Sequence, residues 1–139
     1  DAASETRAWC CFMLTRCLGR LGDAGSIDLL INMLQNGPTE ASLGKNPPPT
    51  HIVYQAWRPF HRPAAAWSLG ELGAKQAVPV LIATVQDLGN ATSTREQAAM
   101  ALGKVGDQSL VDRLEQMAEQ CPDLMTRRAL LESIEKLSQ

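Results

Sequence analysis

The chain has 139 residues, of which 45% are hydrophobic, 20% charged and 4% aromatic, with a formal net charge of −2. That is enough for one globular domain burying roughly two thirds of its unfolded surface, which argues against disorder, and the slightly acidic balance argues against nucleic acid as a partner, since phosphates call for a net basic face. Abundant Ala and Leu with few aromatics favour helices over strands, because Ala and Leu lose little entropy in a helix.

The opening Asp1-Ala2-Ala3-Ser4-Glu5 has neither an initiator Met nor the basic and apolar regions of a signal peptide, and reads as part of something longer. A first helix is predicted at about 4–20, carrying Cys10, Cys11 and Cys17. Cys10 and Cys17 lie two helical turns apart, about 10 Å, beyond disulfide reach. With Cys121 they read as small buried thiols of a reducing, cytoplasmic compartment. A second helix is predicted at 24–35, and residues 36–59 form an insertion. The stretch 36–63 holds six of the eight prolines, both histidines, and Tyr54, Trp57 and Phe60. Further helices are predicted at 60–72, 75–88, 93–105, 108–120 and 123–138. No apolar run approaches the roughly 20 residues that cross a bilayer, so no membrane partner is expected.

Self-similarity organises these elements. Leu18-Gly19-Arg20-Leu21-Gly22-Asp23 recurs as Leu69-Gly70-Glu71-Leu72-Gly73-Ala74 and as Leu102-Gly103-Lys104-Val105-Gly106-Asp107, offset first by 51 and then by 33 positions. The first interval therefore carries about 18 extra residues on the period of a helical repeat. Upstream, Arg62-Pro63-Ala64-Ala65-Ala66-Trp67-Ser68 aligns with Arg95-Glu96-Gln97-Ala98-Ala99-Met100-Ala101, and Arg127 begins a last half-copy at offset 32 that has lost the glycines. The later Gly of each copy, Gly22, Gly73 and Gly106, stands where an A-type helix must end, and is expected to take the left-handed cap conformation. The earlier one, Gly19, Gly70 and Gly103, costs about 1 kcal/mol inside a helix relative to Ala, an expense that close approach of the partner helix at the elbow would offset. Asp23 and Asp107 are placed to cap the B-type helix that follows, and Pro79 lies near a helix start, where its missing N–H does little harm. Such hairpins stack into an all-α, α-α superhelix of about three and a half helix pairs, with repeats at about 4–35, 60–88 and 93–120. A final helix at 123–138 bears the polar face of a cap through Arg127, Arg128, Glu132, Glu135 and Lys136.

The run from Arg62 to Gly73, followed by Ala77-Val78-Pro79-Val80-Leu81-Ile82, resembles the HEAT-like repeat named after phycobilisome lyases, and nearly the whole chain outside 36–59 is covered by the likeness. The resemblance implies a HEAT-like solenoid and leaves function open among bilin lyase subunits, adaptors and appendages of larger enzymes. Two other HEAT-type enzymes fit poorly. The His-Glu ligand pairs of deoxyhypusine hydroxylase are missing, as His51 precedes Ile52 and His61 precedes Arg62. HEAT-like DNA glycosylases need a basic groove, whereas this chain is acidic and carries Asp28, Asp112 and Glu115 on its B-type helices.

For function, the B-type helices of such stacks line the concave face on which partners bind, which puts forward Asp28, Asn32, Gln86, Asp112, Arg113 and Gln116, set against a plain solvated surface. The insertion offers Tyr54, Trp57, Arg58, Phe60 and His61, residue types that dominate interface energetics, set against aromatics that only seal the gap between repeats. His51 and His61 have no carboxylate or Cys at ligand spacing, so neither metal nor cofactor is expected. No nucleophile with a base, no paired carboxylates and no phosphate-cradling loop is found, the glycines belonging to elbows. The expectation is a scaffold that is not an enzyme and binds a partner protein. Two rivals are a bilin-lyase-type subunit whose active site a partner chain completes, and an accessory domain of a larger enzyme such as a flavin-dependent oxidoreductase.

Overall fold

The structure, a computed structural model, describes residues 17, 19, 20, 24–36 and 61–139. Cys17, Gly19 and Arg20 are helical, with Gly19 buried. Six α-helices follow among the described residues: α1 (Ile27–Asn36), α2 (His61–Glu71), α3 (Val78–Gln86), α4 (Thr92–Val105), α5 (Val111–Gln120) and α6 (Leu124–Leu137). The all-α superhelix expected from the repeat is thus what the described residues show. Helices α2, α4 and α6 are of the A type, α1, α3 and α5 of the B type. Each B-type helix is entered through a three-residue 3-10 turn, Ala24–Ser26, Lys75–Ala77 or Gln108–Leu110, which shortens the elbow.

The core is a ladder of leucines. Leu30, Leu34, Leu69, Leu81, Leu102, Leu114 and Leu130 are fully buried, at least one from every helix, and each stabilises the stack by about 1.5–3 kcal/mol relative to exposure. Between these rungs the A-type helices are lined with alanine: Ala64, Ala65, Ala66, Ala98, Ala99 and Ala101 are all buried. The A-type helices accordingly pack most extensively on one another, α2 on α4 and α4 on α6. Each B-type helix packs mainly on the A-type helix that follows it.

That arrangement relocates the reason for the early glycines. A Cβ on Gly19 would lie 2.7 Å from Cβ of Ser68, one on Gly70 3.1 Å from Cβ of Ala101, and one on Gly103 2.8 Å from Cβ of Ser133. The neighbour that needs the space is the A-type helix of the next repeat, not the hairpin partner expected at the elbow. Ser133 also donates to Ala99 O across the same contact, at 2.8 Å. The backbone approach permitted by these glycines offsets their poor helix propensity.

The later glycines divide. Gly73 takes the left-handed conformation, φ 63°, as expected of a cap. Gly106 instead is extended, φ −77° and ψ 178°, and a Cβ there would lie 2.6 Å from Leu102 O, so space and not handedness selects it. Asp107 accepts from Ser109 N at 2.9 Å, capping the 3-10 turn ahead of α5. Its carboxyl is held below the ordinary range by the Ser109 hydroxyl and N–H, against a small burial effect, with Lys75 adding to the shift. Gly22 and Asp23 lie outside the described residues, as do Cys10 and Cys11. Cys121 is buried, but Cys17 is exposed, contrary to the expectation of buried thiols, because it stands on the outward side of its helix turn while Gly19 faces in.

Candidate binding surface

The exposed residues of the B-type layer fall into register. Asp28 on α1, Pro79 on α3 and Asp112 on α5 are equivalent by the repeat offsets, as are Asn32, Ala83 and Gln116, and all six are exposed. Residues four apart share a helix face, so each helix presents its pair on the same outward side. The structure therefore puts Asp28, Asn32, Asp112 and Gln116 on one face, but in two groups with the uncharged Pro79 and Ala83 between them. Asn32 is partly engaged, its Oδ1 accepting from Asn36 Nδ2 at 2.7 Å. Arg113 and Gln86 are exposed as well; Arg113 occupies the register of Leu29 and Val80, of which the first is exposed and the second buried. Tyr54, Trp57, Arg58 and Phe60 lie outside the described residues; His61 opens α2, its side chain likewise outside them.

Beneath the ends of the B-type helices runs a set of polar contacts. Arg62, at the start of α2, donates from Nε and Nη2 to Leu34 O at the end of α1 (3.0 and 2.7 Å) and from Nη1 to Oδ1 of Asn90, ahead of α4. One repeat on, Arg95 donates from Nε to Val85 O of α3 at 2.9 Å, from Nη1 to Oδ2 of Asp123 ahead of α6, and from Nη2 to Cys121 Sγ at 3.6 Å. These guanidiniums satisfy carbonyls that a helix C-terminus leaves without intrahelical partners, and each ties a B-type helix and the A-type helix after it to the residues that lead into the next A-type helix. Burial pushes the Arg62 guanidinium below its ordinary value, with Asp87 opposing the shift. For Asp123, burial alone would raise the carboxyl; the Thr126 N–H bond, the nearby Thr126 hydroxyl, the Arg95 charge and the Cys121 thiol outweigh it, and the carboxyl lies below the ordinary range. The buried Thr126 hydroxyl oxygen has no hydrogen-bond partner among the described residues. The sequence alignment paired Arg62 with Arg95, but nothing in it showed that both are buried, or that Asn90, Asp123 and Cys121 receive them.

Arg95 and Cys121 also form the floor of a cleft of about 190 Å³, walled by Val85, Leu88, Met117 and Pro122. Its charged and thiol groups are already engaged from within, and the side chains left to face it are a mix of the amides of Gln86 and Gln120 with apolar groups, including the exposed Leu88. Small-molecule pockets run to roughly 300–1,000 Å³, so the cleft by itself is undersized for a ligand such as a tetrapyrrole. No helix among the described residues is long and apolar enough to cross a membrane.

A family model described as HEAT repeats matches residues 52–135. The chain is also similar to phycocyanobilin lyase subunit alpha of Nostoc sp. (strain PCC 7120 / SAG 25.82 / UTEX 2576), at 40% identity over 80 residues covering 52% of this chain and 29% of the relative. The chain thus spans under a third of that relative's length. The expected resemblance to lyase-type HEAT-like repeats is shown by these matches. The expectation that the chain is not an enzyme is corrected by the second of them, since the similarity runs to a lyase subunit. The missing nucleophile and acid–base pair misled that reading because a subunit can contribute to a reaction centre shared between chains.

Proposed function

The chain belongs to the HEAT-repeat family, and from that premise we propose that it is the helical scaffold of a bilin-lyase-type assembly. In this reading it holds a protein partner on the outward face of its B-type layer while phycocyanobilin or a related bilin is handled at a site shared with other parts of that assembly. The observation that carries it is the 40% identity over 80 residues to a lyase subunit. Two features support the division of labour. The A-type helices α2 and α4 are largely buried by mutual packing, while the B-type layer keeps Asp28, Asn32, Asp112, Arg113 and Gln116 facing solvent, free to meet a partner. The cleft above Arg95 is too small by itself to enclose a tetrapyrrole, and the larger hollow between α5 and α6, about 620 Å³, is an open groove that needs a second surface to close over a bilin. The insertion residues Tyr54, Trp57, Arg58, Phe60 and His61 belong to the same proposal as further contacts, large aromatic and Arg side chains being the usual anchors of an interface.

The test is a visible absorbance titration of phycocyanobilin against the full chain, with and without an apo-biliprotein acceptor. A saturable band shift that requires both proteins is expected, and it should weaken when Asp112 and Gln116 are both replaced by Lys. An unchanged spectrum in every combination would overturn the lyase assignment.

A further inference from the structure

We draw no further inference here: the strongest candidate, the cleft of about 190 Å³ floored by Arg95 and Cys121 with the exposed Leu88 in its wall, belongs to the surface already described, and among the described residues nothing shows what occupies it, its guanidinium being held by Asp123 and its one thiol being a lone cysteine.

Discussion

The two interior arginine clamps use the same geometry with different chemistry. At the first, Arg62 meets the amide of Asn90, whose Nδ2 in turn donates to Thr84 O at 3.0 Å, so the contact is neutral on the acceptor side and closed on itself. At the second, Arg95 meets the carboxylate of Asp123, which also accepts from Thr126 N at 2.7 Å and so caps α6; α4 has no side-chain cap of this kind. The repeat therefore demands an acceptor at this point, not a charge. Where the acceptor is charged, it takes on a second task at the helix N-terminus, whose free N–H groups and dipole favour an anion.

The largest expected effect separates the clamps outright. Arg95→Met removes the cation from a carboxylate that stays partly buried, and should cost about 3 kcal/mol in urea denaturation. Arg62→Met, which leaves a neutral amide and a carbonyl, should cost about 1–2 kcal/mol. Equal costs would show that the charge of Asp123 adds nothing. Next come the glycine contacts beside the clamps. Gly103→Ala drives a methyl against Ser133 and should cost about 1–3 kcal/mol despite better helix propensity, and Gly70→Ala, with more room against Ala101, should cost less. The reverse order would mean that the tighter junction relaxes more readily.

Asp123→Asn converts the second clamp into the chemistry of the first. A loss of about 1 kcal/mol at pH 7 is expected, together with a change in acid stability. The folded carboxyl lies below its unfolded value, near 3.9, so its contribution is complete above that value and fades as pH falls through the folded one. Melting temperatures measured between pH 7 and pH 3 should thus decline less steeply in the Asn variant; parallel curves would contradict the assigned shift. Smallest is the surface pair of Lys104 with Glu71, each side chain 36% exposed, which joins α2 to α4. Glu71→Gln should change stability by about 0–1 kcal/mol, less so in high salt.

Much of the fold was legible because a helix announces itself locally. Apolar spacing, the Leu-Gly-x-Leu/Val-Gly punctuation and Pro79 all act within a few residues of one another, and they placed α4 at 93–105 where the structure has Thr92–Val105. The exposed B-type residues Asp28, Asn32, Asp112 and Gln116 were legible for the same reason, since a helix's outward side follows from its own periodicity. What the sequence could not contain is distance across the stack. That Gly70 makes room for Ala101 and not for its hairpin partner, that Gly106 is selected by Leu102 O and not by a positive φ, and that Arg95 is buried on Asp123 and Cys121 all depend on how far apart whole helices settle. Helix identity is a local balance of backbone entropy and hydrogen bonding. Which side chain fills the gap between two helices, and which groove stays open, is decided only when the helices pack, because close packing couples residues some thirty positions apart.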